Sequence, residues 1–535
     1  MKFKKHINSK IDLYVLLLLI INFYLLRNGI LFGKFHPIDD HHILYFINEN
    51  INLRQYFYVL VNETEVGNFG TAGQYRPSYW GILLFETIIF GKNTAMYYLT
   101  RAIFLSVFSI SMYKVFTLYF HRLTSFTLIV FYLKMPFLGG IFNRLGPGEN
   151  YSTFGMSLIL FGVYKLLQVK KQEVDFEILN LNKGYQLLLL GSLINLGIKQ
   201  NWIANSLGII ILLFVYKGKL NKYSKIFSFI YLVCFLLIMT STLMFLRSTS
   251  VDFYGTEINL LSRIIYSFEF LYKGNIEISL SIIVLFILTV LNSVKDYLQK
   301  KISARTIVYF YIFIRFSWEI FFYSGVLVTF FDYKFPWWSN YNFPIYLSLP
   351  IAGILLIDFI YENKYLKSRG LVNLNIAIIS ACLLVILFQH PVYKYGFFIE
   401  NRNFSTSSYT YQYNENLLQL STLVSENNIN QIIVYTNNLE DDEKFLNLDD
   451  WFYYYSIDSK IMIDFTEKGL PENILENLRI ENIKKYENFS SGLFQPISDF
   501  DKNSSCIILP NNTEPIELEI YNDCKVFYLW PNYEY

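Results

Sequence analysis

The sequence predicts a mainly α-helical, polytopic membrane protein of about eleven transmembrane helices, with a small α/β or α+β domain at its C-terminal end. Three observations predict it. Hydrophobic residues fill 53% of 535 positions at a mean hydropathy of +0.31, and they fall in blocks near the ~20 residues that a helix needs to cross a hydrocarbon core. Charge is divided unevenly: from Pro391 to Tyr535 there are 10 Lys and Arg against 23 Asp and Glu, a net of −13, which leaves +15 on the first 390 residues. The basic residues of that first part gather in alternate short loops, as orientation by the positive-inside rule requires.

The first apolar run, Ile11 to Phe32, follows Lys2, Lys4, Lys5 and Lys10. Its basic start resembles a signal peptide, but its length and the lack of a small-residue cleavage site favour an uncleaved first span. Further spans are expected at 94–119, 125–141, 152–168, 185–198, 202–216, 226–246, 275–293, 306–330, 342–360 and 371–389. With the N-terminus inside, the inner loops hold Arg122; Lys170, Lys171 and Lys183; Lys217, Lys219, Lys222 and Lys225; Lys295, Lys300 and Lys301; and Lys364, Lys367 and Arg369. An odd number of spans places the acidic tail outside the cytoplasmic membrane.

Two regions follow: residues 1–390, with a long first outer loop at 33–93, and residues 391–535, a soluble extracytoplasmic domain. Within the loop, Pro77 to Phe90 is apolar but only fourteen residues long and contains Glu86. Tyr79 and Trp80 suit the headgroup boundary, so this segment reads as a helix lying in the interface; the alternative, a tilted span, would invert every later loop, against the placement of the basic ones. In the tail, Leu417 to Val424 has helical spacing, whereas Gln431 to Tyr435, Cys506 to Leu509 and Cys524 to Leu529 read as short strands.

Nucleic acid is excluded as a partner, because the lysines lie in separate short loops rather than on one continuous basic surface. Cys234 and Cys382 fall inside apolar runs and read as packing residues. Cys506 and Cys524 both lie in the tail, where an oxidising exterior permits a bridge without requiring one.

Four segments carry side chains suited to chemistry. Directly after the first span comes His36-Pro-Ile-Asp-Asp-His-His42. A carboxylate there, Asp39 or Asp40, could take a proton from a hydroxyl as general base, and Asp40, His41 and His42 are the side chains that could hold a cation. The alternative is a solvated loop leaving the bilayer. The second segment is Asn143-Arg-Leu-Gly-Pro-Gly-Glu149, a Gly-Pro turn with Arg144 fit to bind a phosphate and Glu149 as a further carboxylate. An ordinary turn beside an interfacial arginine is the plain reading of the same residues. Arg76, before Pro77, and Lys199, in Ile198-Lys-Gln-Asn-Trp202, are two more cations on the outer side, although Lys199 could equally snorkel. Lys134 stands alone within the third expected span.

At these residues the chain resembles the GT-C superfamily, multi-span glycosyltransferases that use polyprenyl-phosphate sugars outside the cytoplasmic membrane. The resemblance rests on the early Asp39-Asp40, on Arg76-Pro-Ser-Tyr-Trp80 leading to Phe90-Gly-Lys-Asn93, on the Arg-Leu-Gly-Pro-Gly-Glu and Lys-Gln-Asn-Trp segments, and on Ser339-Asn-Tyr-Asn-Phe-Pro344. It covers the architecture of residues 10 to 390. Pro336-Trp-Trp-Ser lacks the acid and glycine of the oligosaccharyltransferase signature, so the resemblance reaches the superfamily and no particular substrate.

The resemblance implies an inverting transfer from a polyprenyl-phosphate sugar to an envelope glycan, lipid or protein acceptor. Asp39 or Asp40 would act as base, and Glu149 would orient the acceptor or help hold a metal. Arg76, Arg144 and Lys199, with His41 beside them, would face the phosphate; the resemblance fixes no cofactor, and a divalent cation, Mg or Mn, is one that could serve. Two other readings differ in class. An O-antigen-type polymerase or ligase shares lipid-linked substrates but places its large outer loop between late spans. A transporter or membrane-anchored interaction protein would favour repeats or helices broken by Gly and Pro, or would leave Asp39 to His42 unused.

Overall fold

The computed structural model describes residues 12–37, 40–70, 75–118, 120–168, 174–199, 220–248, 260–273, 276–298, 312–321, 397–436, 448–465, 494–495, 505–510 and 524–530, with short pieces at 202, 206, 209–210, 309–310 and 355–356. It is mostly helical. The expected span at 371–389, Cys382, the segment Ser339 to Pro344 and Asp39 lie outside the described residues.

The first apolar run forms two helices, α1 (Leu13–Leu25) and α2 (Arg27–Phe32). Asp12 caps α1 by accepting the Tyr14 N–H at 3.2 Å, which satisfies one of the orphan donors of the first turn. The long loop at 33–93 folds into α3 (His41–Asn48), α4 (Tyr56–Asn62) and α5 (Pro77–Phe90). Proline opens α5, where its missing N–H costs nothing, and Gly91 at φ 49° closes it. The helix expected at the interface is therefore present with the expected bounds.

The chain continues through α6 (Thr94–Phe116), α7 (Arg122–Leu133), α8 (Pro136–Phe142), α9 (Glu149–Gln168) and α10 (Val174–Leu196). The span expected at 125–141 is two helices rather than one. Pro136 cannot donate to a continuing ladder and excludes the helical conformation at the residue before it, so Met135 is extended and a new helix begins. Lys134, expected to stand alone, closes α7 and holds its ammonium 5.4 Å from the centre of the Phe397 ring.

Helices α9 and α10 pack closely because of small residues. A Cβ at Gly191 would strike the carbonyl of Gly155, and one at Gly155 would strike the Asn195 side chain. Close backbone approach of this kind is how helices associate in an apolar medium. Next come α11 (Lys222–Ser248), α12 (Leu260–Lys273) and α13 (Ile276–Leu298). Among the described residues three helices are long and apolar enough to cross a membrane: Thr94–Phe116, Lys222–Met244 and Ile278–Leu298. Large apolar side chains lie on the outward face of α11, with Phe229 68% and Leu236 60% exposed.

The tail begins with α14 (Phe398–Asn427), thirty residues long. The expected helix at Leu417 to Val424 is only its last apolar stretch. Its first half lies against α1, α2 and α8: Arg27 pairs with Glu400 at 2.6 Å and Asn403 Oδ1 accepts the Gly29 N–H at 2.6 Å. Its second half covers a sheet of β1 (Gln431–Thr436), β2 (Lys460–Phe465), β3 (Phe494–Gln495), β4 (Cys506–Pro510) and β5 (Lys525–Val526), with α15 (Leu448–Tyr454) between β1 and β2. All pairings are parallel and the order is β3-β2-β1-β4-β5, so the chain moves outward from β1 in both directions. Gln431 is in register with both Lys460 and Cys506.

Of the two organisations expected of the tail, α/β and α+β, the parallel sheet is the first. β2 is an element the sequence reading passed over, and the expected strand at Cys524 to Leu529 is reduced to two residues. A disulfide joins Cys506 to Cys524 and so ties β4 to the approach to β5. The 33–93 loop and the tail share one apolar core, in which Phe35, Ile43, Trp80, Leu417, Ile432 and Trp451 are all buried.

Candidate functional site at the outer-loop junction

The four segments that carry candidate chemistry, separated by up to about 160 positions in the sequence, meet in one place. Asp40, immediately before α3, is fully buried. Its Oδ1 accepts the N–H groups of Leu145 at 3.1 Å and Gly146 at 2.7 Å, and its Oδ2 accepts that of His36 at 2.8 Å. One carboxylate therefore fastens the His36–His42 segment to the Arg144–Glu149 turn. Charge-assisted bonds to backbone N–H groups are among the strongest polar contacts in an interior.

The turn is held from its other sides as well. The Tyr79 hydroxyl donates to the Gly146 carbonyl at 3.0 Å, and Asn150 Nδ2 donates to the Arg144 carbonyl at 3.0 Å. Arg144 itself is half-buried at the head of the turn. Glu149, on the first turn of α9 where a carboxylate suits the helix dipole, pairs with Lys199. Lys199 follows the end of α10, and that end docks on the start of α5: the N–H groups of Ser78 and Tyr79 donate to the Gly197 carbonyl at 2.8 and 3.1 Å. Only glycine fits there, since a Cβ would collide with Ser78.

Arg76 grips Glu65 with two parallel bonds of 2.9 Å, and Trp80 Nε1 donates to the same carboxylate at 3.0 Å. The guanidinium also lies 4.7 Å from the centre of the Tyr79 ring. Burial opposes the charge on Arg76, but the Glu65 carboxylate outweighs it and raises the pKa. His41 and His42 stand with ring centres 3.8 Å apart, and His42 meets the Trp80 ring at 4.7 Å. Burial first, then the charges of His41 and Arg76, hold His42 well below the usual imidazole range, so it is neutral at physiological pH.

Beneath the turn lies a network that the sequence reading missed. Arg101 of α6 is fully buried and binds Glu86 of α5 through two bonds of 2.8 and 3.0 Å. Its Nη2 also donates to the Leu145 carbonyl at 3.2 Å, and the Tyr151 hydroxyl donates to Glu86 at 2.7 Å. The signal was available: one acid and one base, each isolated in an apolar helix, on either side of the Gly91 turn. An ionisable group in such a setting has a partner or a function. Glu65 carried no comparable signal, because it lies in a polar loop.

The structure thus gathers Asp40, His41, His42, Arg76, Arg144, Glu149 and Lys199, seven of the eight residues singled out, around one turn. Asp39, the eighth, is outside the described residues. Among the described residues no three His, Cys, Asp or Glu side chains group as a metal site. Both Asp40 oxygens accept backbone N–H groups, so a cation at Asp40, His41 and His42 would have to share that carboxylate with them.

The chain matches no protein-family model, no curated protein and no solved structure.

Proposed function

We propose that the chain is a glycosyltransferase of the GT-C kind, embedded in the cytoplasmic membrane by about eleven helices, with its N-terminus inside and its tail outside. It moves a sugar from a polyprenyl-phosphate donor to an envelope glycan, lipid or protein acceptor at the outer face. The observation that carries this reading is the meeting of the four charged segments around the 144–149 turn. Supporting it are the three long apolar helices, the outward apolar face of α11 and the gathering of basic residues in alternate short loops, the loops between them being poor in Lys and Arg for their length.

The reaction is a single displacement. The acceptor hydroxyl attacks the anomeric carbon, its proton passes to a carboxylate, and the bond from that carbon to the phosphate oxygen breaks with its electron pair. Polyprenyl phosphate leaves and the anomeric configuration inverts. Asp40 is committed to three backbone donors, which suits it to hold the turn in position, and the role of base passes to Asp39.

Negative charge grows on the phosphate as the bond breaks, and Arg144, Arg76 and Lys199 are the cations to meet it, an electrostatic contribution of several kcal/mol in comparable sites. Lys199 and Arg76 are already paired with carboxylates, so donor entry exchanges a carboxylate partner for a phosphate, and the displaced Glu149 and Glu65 must take new partners. Glu149, released from Lys199, is placed to accept from the acceptor hydroxyl.

The test is a deletion strain complemented with Asp39→Asn or Lys199→Met, with envelope glycans and lipid-linked intermediates read by mass spectrometry. Loss of one side-branch sugar, with its polyprenyl-phosphate donor accumulating, is expected. Unchanged glycans in the Asp39→Asn strain would overturn the reading, and accumulation of unpolymerised repeat units would indicate a polymerase instead. Cysteine labelling from outside should reach the 36–42 segment; labelling from the cytosolic side alone would also defeat the proposal.

A further inference from the structure

At the far end of α3 from Asp40, a cleft of about 550 Å³ opens between the outer loop and the tail, lined by Asn48, Asn50, Lys92, Tyr453, Tyr454 and Asp458 among others. α3 is eight residues long, or ~12 Å at 1.5 Å per residue, so the cleft lies one short helix away from the 144–149 turn. Its walls are fixed to each other. Asn48 Nδ2 donates to the Asp450 carbonyl at 3.0 Å, Phe35 meets Tyr454 edge-on at 6.3 Å, and the Lys92 ammonium lies 4.6 Å from the Tyr454 ring centre.

One feature distinguishes this cleft from a gap between packed parts. Tyr453 remains 65% exposed on a wall whose other aromatic ring, Tyr454, is anchored, so an apolar ring face is presented and left uncovered. Asn50 and Ser456, at positive φ of 50° and 55°, are the left-handed residues that close α3 and α15.

The chemistry of the lining selects among ligand classes. One lysine and one aspartate leave no net charge, which disfavours a phosphate or an acidic polymer. The asparagine amides, the carboxylate and the ammonium supply both donors and acceptors, which an acyl chain could not use. An uncovered aromatic face next to paired donors and acceptors fits a ring whose C–H face is apolar and whose edge carries hydroxyls.

We propose that this cleft binds a segment of an uncharged oligosaccharide. Binding there needs neither donor nor turnover, so it stands or falls separately from sugar transfer at the outer-loop junction.

The test uses the full chain in lipid nanodiscs and saturation-transfer difference NMR with cellotriose, mannotriose and tri-N-acetylchitotriose as uncharged probes and trigalacturonate as the acidic one. At least one uncharged trimer should show saturation of its ring protons. That signal should fall at least fivefold in Tyr453→Ala, persist in Tyr453→Phe, and be unchanged in Tyr411→Ala, an exposed tyrosine on α14. Thermal unfolding reports whether each variant is folded, and the Tyr453→Phe variant, which keeps the ring, serves as a second check on the site. Signal from no uncharged trimer, signal from trigalacturonate alone, or signal retained in a folded Tyr453→Ala variant would overturn the proposal.

Discussion

Replacing Asp40 by Asn conserves shape and removes charge, and the structure sets the consequence. One amide oxygen can keep the Leu145 and Gly146 N–H groups, but the amide nitrogen then faces the His36 N–H, donor against donor. The change removes one charge-assisted bond, worth about 1.5–3 kcal/mol, and leaves a buried N–H unsatisfied. The two surviving bonds become neutral and lose roughly half their strength. Because Asp40 is fully buried, solvent screening does not soften the loss, and the total is about 3–5 kcal/mol. Thermal unfolding of the purified chain in detergent, followed by tryptophan fluorescence, should show a clear drop against wild type, while protease protection should report normal insertion. Glu49→Gln, at the exposed end of α3, is the control and should not move. An Asp40→Asn variant that unfolds with the wild type would refute the view that this carboxylate fastens the turn.

Other perturbations have equally definite outcomes. Lys199→Met breaks the nearly buried pair with Glu149 and should destabilise the fold by about 3–5 kcal/mol, whereas Lys199→Met with Glu149→Gln should recover most of that loss; thermal unfolding of the single and double variants checks it. Arg101→Met should cost a similar amount for the same reason, about 3–5 kcal/mol, and should increase proteolysis at the 144–149 turn, as mass spectrometry of the fragments would show. Gly197→Ala should separate the end of α10 from α5 and cost about 1–3 kcal/mol, read as a lower midpoint in thermal unfolding. The pKa of His42 is lower in the folded chain than in the unfolded one, so the unfolded state binds the extra proton as pH falls below about 6.5. Stability is then lost from that point downward, and His42→Gln should show a shallower decline between pH 6.5 and 5 than wild type in unfolding melts.

Much of the helical plan is visible in apolar block length, because a helix that buries itself in apolar surroundings must be apolar over its whole length. Thr94–Phe116 and Pro77–Phe90 follow their expected bounds closely for that reason. The break at Lys134 to Pro136 was legible too, had the proline been given more weight than the hydropathy around it. The first half of α14 was not: Asn401 to Asn416 is polar, and it is helical because Asn403, Thr410 and Asn414 bond to the α2 region and to residues 34–35, contacts that no local pattern announces. β2 was hidden likewise, since Lys460-Ile-Met-Ile-Asp-Phe465 becomes a strand only once β1 offers it an edge. The chemistry-bearing segments could be picked out by residue type, but their convergence could not, because the bonds that join them come largely from backbone groups, Leu145 and Gly146 N–H and the Gly197 carbonyl, which every residue possesses.

Phe398–Asn427 contains neither glycine nor proline, and at ~45 Å it runs unbroken from the helical bundle to the sheet. A rod clamped at both ends has no natural bending point. The tail therefore cannot swing away from the bundle as a hinged lid would, and any opening that admits large molecules must come from short loops moving against a rigid frame. Inserting two glycines near Tyr411 would create the missing joint, and spin labels placed across it should then report a broad distribution of separations where the unbroken rod gives a narrow one.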